Sequence, residues 1–252
     1  ALVMRSFQLG TYDRMFKNII ESYTGYLQVH NRDYFDEPIL DNSFEADENL
    51  FNLILEDHAI EAIVPRVESF ALAAAGSRTQ GVIVMGIDPA GEDKVMNISN
   101  KLVKYKLTPE AVERLKNDKI PDQTKKLLDL FSNEAYSSEA RLMQDLDISD
   151  EDSAATLPVI RRHASFSNAY LTESSTGDVV IGDGLSDYLD AGIGDTIVLI
   201  GQGYHGTTAA GKYRVRGIIK LPALEIENGI VYIPLDDARV LYAAAGMTTS
   251  AV

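Results

Sequence analysis

The chain has 252 residues, 45% of them apolar and 24% charged, a formal net charge of −15 and no cysteine. That acidity excludes nucleic acid, which is bound through clustered Lys and Arg, and it opposes docking onto anionic lipid. The lack of cysteine excludes disulfides and thiolate metal sites, and no apolar run reaches the ~20 residues that span a bilayer.

Residues 11–22 carry Tyr12, Met15, Phe16, Ile19 and Ile20 at helical spacing, with Asp13, Arg14, Lys17 and Asn18 between them. Gly25–His30 alternates as a strand. Residues 32–48 set Asp33, Asp36, Glu37, Asp41, Glu45, Asp47 and Glu48 against the single Arg32, a solvated acidic face that leads into a helix. Asn42 followed by Glu45 fits a capping box for that helix, with Phe44, Leu50, Phe51, Leu53 and Ile54 as its buried stripe. Glu61–Ala75 reads as a long strand crossing Pro65, so an edge position or a bend is expected there. Gly76–Gly81 is of hairpin length and leads into the strand Val82–Ile87. Gly86 offers backbone angles closed to other residues, and Pro89 ends the strand.

Residues 92–155 change character: Leu107, Val112, Leu115, Leu128, Leu142 and Leu146 recur at helical intervals among many charges. Thr108-Pro109-Glu110 is a helix start, and the acidic stretch Asp145–Asp152 is expected to close this mainly helical segment. From residue 164 short strands return, at about 179–182, 196–200, 212–220 and 229–233. A helix is expected over 183–190, a tight turn at Gly194-Asp195 and a last helix after Pro234.

Gly201-Gln202-Gly203-Tyr204-His205-Gly206 matches the Gly-x-Gly-x-x-Gly dinucleotide fingerprint, and Glu225 stands about 20 residues on, where a ribose-binding acid belongs. The fingerprint needs a helix N-terminus after its third glycine to hold pyrophosphate. Here Tyr213, Val215 and Ile219 alternate as a strand, so the segment reads as a hairpin tip. A soluble nucleotide-binding enzyme using the Gly201–Gly206 loop remains an alternative. So does a protein-interaction module working through the acidic face 32–48 or the helical segment 93–160.

His30, His58, His163 and His205 are scattered without the spacing of a metal site. Asp145, Asp147, Asp150 and Asp152 lack the central glycine and terminal Glu of a calcium loop. No Gly-x-Ser-x-Gly elbow and no Walker loop occurs, and no catalytic residue, cofactor or metal is expected. Exposed side chains on a glycine-supported loop single out Tyr204, His205 and Thr207 as the candidate contact with a partner or substrate.

Tyr23–His30, Pro65-Arg66-Val67 with Ser69-Phe70-Ala71, and Gly86-Ile87-Asp88-Pro89 with Glu92 form a first set of blocks. Val180–Leu185 with Leu189 and Gly194-Asp195, Tyr213–Ile218 and Val231–Ala238 form a second. In order and spacing, over about 23–92 and 164–240, these blocks resemble the extracytoplasmic core domain of MacB/LolC-type ABC transporter permeases.

The resemblance implies an α+β fold of two lobes. A porter-like lobe with β-α-β elements would comprise 1–92 and 221–252, with 1–22 as a stalk helix. A β-rich sabre-like lobe would occupy 93–220, including a helical insertion over about 93–160. The resemblance also implies a non-catalytic domain on the periplasmic or extracytoplasmic face of the inner membrane. Transmembrane helices of the same permease would flank it, and a separate cytoplasmic ATPase subunit would drive it. It would couple transmembrane motion to export or release of a lipoprotein, peptide or drug-like substrate, with a second permease protomer and a periplasmic partner as further contacts. Both chain ends read as cut from between such helices. Two features depart from the family pattern: the 93–160 segment is longer than usual, and the hairpin at 201–212 is short and lacks the proline-containing hook of lipoprotein-releasing members.

Overall fold

The computed structural model describes residues 5, 25, 27–45 and 47–252. The helix expected over 11–22 lies outside them, and of the strand expected over 25–30 Val29–His30 forms β1. The chain divides into two compact units, one holding the residues up to Ser99 together with Tyr170–Val252, the other Asn100–Ala169.

In the first unit α1 (Arg32–Asp36), β2 (Phe44–Glu45) and α2 (Glu48–Leu55) follow β1. The capping box expected at Asn42 and Glu45 does not form. Phe44 and Glu45 pair in extended form with Thr248 and Met247, and Asp47 caps α2 by accepting from the Asn49 amide at 2.8 Å. Asn42 donates its side-chain amide to the Glu37 carbonyl at 2.9 Å, a local turn bond that competes with the cap.

The strands β3 (Pro65–Ala75) and β4 (Arg78–Ile87) pair antiparallel through the turn Gly76-Ser77, with Gly76 at φ +55°. Arg78–Gly81, expected in the connection, are therefore strand. Immediately after β4, α3 (Pro89–Met96) begins with Pro at its first turn, and Asp88 accepts from the amides of Ala90 at 3.3 Å and Gly91 at 3.1 Å.

The second unit holds β5 (Tyr105–Lys106), α4 (Pro109–Lys116), α5 (Asp122–Leu128), β6 (Ala135–Tyr136), α6 (Glu139–Asp145) and α7 (Asp150–Ala164). Its core gathers Leu107, Val112, Leu115, Leu128, Leu142 and Leu146, which recur at helical spacing, together with Ile160. Hydroxyls cap three of these helices: Thr108 accepts from Ala111, Ser138 from Arg141 and Ser149 from Asp152. The acidic stretch 145–152 does not close the helical segment. Asp150, Glu151 and Asp152 form the first turn of α7, and Arg161, Arg162 and His163 its last, so the charges match the helix dipole at both ends.

The first unit resumes with β7 (Asp178–Gly182), α8 (Asp183–Leu189), β8 (Thr196–Gln202), β9 (Thr208–Ile219), α9 (Leu224–Glu227) and β10 (Ile230–Pro234). Then come α10 (Leu235–Leu241), β11 (Met247–Thr248) and β12 (Ser250–Ala251). The sheet runs β1-β12-β3-β4-β10-β7-β9-β8, and β8 pairs back onto β3, so β3, β4, β10, β7, β9 and β8 close into a ring. All five positions of β7 and of β10 are buried, which explains their continuous Val/Ile runs.

Pro65 opens β3 and does not interrupt it. Nor is β3 at an edge: opposite β4 it pairs with β12 at residues 65–66 and with β8 at residues 71–74. A proline at the first residue costs the ladder only a terminal donor. Gly86 keeps an ordinary φ; what its position demands is space, because a Cβ there would lie 2.2 Å from the Ala238 Cβ of α10. Gly194 takes φ +91°, the turn that its neighbour Asp195 signals.

The compact units do not coincide with the expected lobes 1–92/221–252 and 93–220. β7, β8 and β9 hydrogen-bond into the ring that contains β3, β4 and β10, so 170–220 belongs with both chain ends and 100–169 stands as a unit of its own. Alternation identifies a strand, but the sheet that the strand joins is decided by pairing across long stretches of sequence.

Arg66 on β3 is fully buried and clasps Glu92 of α3, through Nε to Oε2 at 3.0 Å and through a second bond from Nη2 to Oε1. Burial by itself weakens the proton affinity of the guanidinium, but the Glu92 carboxylate more than offsets this and holds Arg66 above its usual range. Glu92→Leu should destabilise the protein by about 3–5 kcal/mol by removing the carboxylate that clasps the buried Arg66 guanidinium, and Arg66→Met combined with it should recover most of the loss in urea unfolding. Leu142→Ala, in the core of the second unit, should cost about 2–5 kcal/mol in the same assay.

Candidate functional site

The hairpin β8–β9 carries the glycine motif, and each of its glycines answers a local packing or backbone demand. Gly201 sits on the β8–β3 seam, where a Cβ would come within 2.7 Å of the Phe70 carbonyl oxygen. Gly203 lies against α10, where a Cβ would meet Thr207 Oγ1 at 2.5 Å and the Tyr242 carbonyl oxygen at 2.6 Å. Gly206 takes φ +75° in the turn. Strand β9 follows at Thr208, with no helix N-terminus to receive a pyrophosphate, and Glu225 is exposed on α9.

The tip is held from three directions. Within it the Gly203 amide donates to the Thr207 carbonyl at 2.7 Å, and the Thr207 hydroxyl donates to the Tyr204 carbonyl at 3.0 Å. From α10, the Tyr242 carbonyl accepts from the Tyr204 amide at 2.8 Å. From the acidic 3-10 turn Leu40–Asn42, Asp41 Oδ1 accepts the His205 amide at 2.7 Å and lies 3.3 Å from His205 Nδ1. His205 sits at φ 52° and ψ 34°, a left-handed conformation that costs a residue with a Cβ roughly 1–2 kcal/mol and is kept here by the Asp41 bonds.

Of the three residues singled out in the sequence, Tyr204 is half-buried with its ring centroid 3.9 Å from that of His205, while His205 and Thr207 are exposed. Beside them opens a groove of about 230 Å³ lined by Ile39, Leu40, Asp41, Ser69, Phe70 and Gln202. Phe70 is 65% exposed and Ile39 44%. The sequence reading does not find Phe70, Ile39 or Asp41 as members of this site. The available signal is the run Phe70-Ala71-Leu72-Ala73-Ala74 in β3, apolar on both faces, one of which emerges beside the hairpin. Leu72 and Ile200, cross-strand partners on β3 and β8, extend the exposed apolar surface at 43% and 45% exposure. Aromatic and aliphatic side chains framed by a histidine, a threonine and an aspartate suit contact with a polypeptide or other amphipathic ligand.

Among the described residues no group of three or more His, Cys, Asp or Glu side chains is arranged to hold a metal ion. Of the four aspartates that faintly follow calcium-loop spacing two are engaged otherwise: Asp145 pairs with Arg141 at 3.1 Å, and Asp152 accepts from the Ser149 hydroxyl at 2.8 Å.

The blocks of the family resemblance fall on the first unit, at β1, β3, the β4–α3 junction, β7–α8, β9 and β10–α10. Among solved structures the chain is similar to the extracellular domain of the noncanonic ABC-type transporter YknZ from Gram-positive bacteria. They share 10% identity over 83% of this chain and 71% of that one, with a TM-score of 0.40. It is also similar to the periplasmic region of MacB from Actinobacillus actinomycetemcomitans, at 11% identity over 94% of this chain and 78% of that one, with a TM-score of 0.45. No family model and no curated protein matches the chain.

Gly203→Ala should destabilise the protein by about 1–3 kcal/mol, because the new methyl meets backbone that cannot withdraw from it, as read by chemical unfolding. Phe70→Ser, on an exposed side chain, should change stability by less than about 0.5 kcal/mol in the same measurement.

Proposed function

We propose that this chain is a non-catalytic extracytoplasmic domain of an ABC transporter permease. On this reading transmembrane helices of the same protein flank it, and a separate cytoplasmic ATPase drives it. The observation that carries the reading is the pairing of β1 with β12. Val29 faces Ala251 and His30 faces Ser250 in antiparallel register, and β12 in turn lies on β3. The first and last strands among the described residues thus lie side by side, as suits a domain set into the connection between two membrane-crossing segments. Gly25 packs at the same place, where a Cβ would sit 2.1 Å from Val252 Cγ1.

The ordered sequence blocks support the same class, since most of them fall on strands of the ring. In this reading the hairpin tip with Tyr204, His205 and Thr207, together with Phe70, is the contact for a periplasmic partner, a second permease protomer or the exported substrate. The second unit, residues 100–169, takes the place of the helical insertion. The nucleotide-binding alternative finds no support in the geometry, because Gly201, Gly203 and Gly206 serve the strand seam, the packing on α10 and the turn.

His205→Cys places the one thiol of these 252 residues at an exposed position, so a topology test needs only that any cysteine elsewhere in the full-length protein be replaced by serine. In the full-length protein in intact cells that thiol should react with a membrane-impermeant maleimide added from the extracytoplasmic side. A thiol protected until the cells are lysed would place the domain on the other side of the membrane and overturn the reading.

A further inference from the structure

Strands β8, β3 and β4 share an apolar patch on one face. Successive residues of β3 alternate between its two faces, so Phe70 and Leu72 stand open while Ala71 and Ala73 are buried. Phe70 pairs with Ile83 of β4 and Leu72 with Ile200 of β8, and those partners lie on the same face. Two grooves meet the patch. The groove beside the hairpin tip holds Ile39, Leu40 and Asp41, and a second, of about 430 Å³, is lined by Phe70, Ile83, Glu225, Ile226 and Asn228. The two have Phe70 alone in common, so a ligand that fills both crosses the Phe70 ring.

Both grooves are acidic. Asp41 lines the first and Glu225 the second, each exposed, and among the described residues no lysine or arginine lines either. The segments that supply these carboxylates are equally one-sided: 32–48 sets seven acids against Arg32, and 222–229 holds Glu225 and Glu227 with no cation. Of the cations on neighbouring strands, Lys212 faces Val198 on β9, two strands from β3, and Arg78 turns to α8, donating to the Tyr188 carbonyl at 3.0 Å. In the first unit as a whole Asp and Glu outnumber Lys and Arg by more than two to one. An anionic ligand is repelled here, and an uncharged one desolvates the carboxylates without pairing them. A cationic amphipathic ligand meets both the apolar and the charged demand.

We infer that this face binds an extended segment of a partner protein in which lysine or arginine alternates with aliphatic or aromatic side chains. The apolar side chains pack on Phe70, Leu72 and Ile200, and the cations reach Asp41 and Glu225. At residues 71–74 the ladder of β3 is already occupied by β8, so the segment is read through its side chains and is not added there as a strand. The inference rests on the reading of this face as a contact surface and names the chemistry of what it contacts. It does not need the permease class.

The test is titration of the protein into a short fluorescent peptide that alternates lysine with leucine and phenylalanine, read by anisotropy. Two control peptides replace the lysines with glutamate or the apolar residues with serine. The first peptide should bind at least about tenfold more tightly than either control, and less tightly as salt rises from about 0.05 to about 0.5 M. Phe70→Ser should weaken it about tenfold or more, and Glu225→Gln about threefold. Glu173→Gln, at an exposed acid that lines neither groove, should leave it unchanged. The proposal is overturned by no binding, by equal binding of either control, by undiminished binding to Phe70→Ser, or by a loss in Glu173→Gln as large as that in Glu225→Gln. It is overturned as well if sedimentation shows a self-associating protein that Phe70→Ser turns into a monomer, since a second copy then covers the face. None of these outcomes bears on the labelling of His205→Cys, so this inference and the permease reading stand or fall separately.

Discussion

The strand β3 must hydrogen-bond along both of its sides, and the rest of the first unit follows from that constraint. Its eleven residues pair with β4 over nearly the whole length, while the opposite side is shared between β12 near its start and β8 near its end. The seam with β8 closes the ring, and at Gly201 it closes because that residue has no side chain. Ala71 faces Gly201 across it, and a methyl at Gly201 would strike the β3 backbone. The start of the strand is anchored by burial of a whole Arg66–Glu92 ion pair, which ties β3 to α3. Such a pair is costly to desolvate and costlier still to break, so it specifies one arrangement of strand and helix more than it adds stability.

The candidate contact site is a by-product of that closure. A strand that is apolar on both faces must show one of them to solvent unless something covers it, and here Phe70, Leu72 and Ile200 are left open. The hairpin tip stands beside this surface, braced by backbone bonds to α10 and by Asp41 from the acidic turn. His205 is held in a conformation that a residue with a side chain rarely takes, a strain that the bonds to Asp41 over-determine. The acidic segment 32–48 is therefore more than a solvated face, since one of its carboxylates helps to fix the loop.

Charge inside the molecule follows a second pattern. In a chain of net charge −15, buried or half-buried groups of ions among the described residues join elements distant in sequence. Arg66 with Glu92 joins β3 to α3, Asp178 with Arg214 and Arg216 joins β7 to β9, and Lys220 with Asp183 and Glu227 fastens the connection that precedes β10.

The sequence by itself determined most of the elements. The Val/Ile runs of β7 and β10, the Thr108-Pro109 helix start, the Gly194-Asp195 turn and the helix after Pro234 all follow from period, capping and turn chemistry that act over a few residues. It also pointed to the tip residues, through glycines around an aromatic and a histidine. Where a local rule had a competitor it misled: Asn42 bonded its own turn and did not cap α2, and the acids at 145–152 opened a helix where they were read as an end. Only the tertiary structure decided that β8 returns to β3, that 170–220 joins the chain ends in one unit, that Phe70 and Asp41 flank the tip, and that Glu227 and Asp183 meet over one lysine. Each of those facts is a pairing between residues tens to hundreds of positions apart. Such pairings are selected by the space and charge that the partners leave for one another, not by any pattern within a stretch of chain.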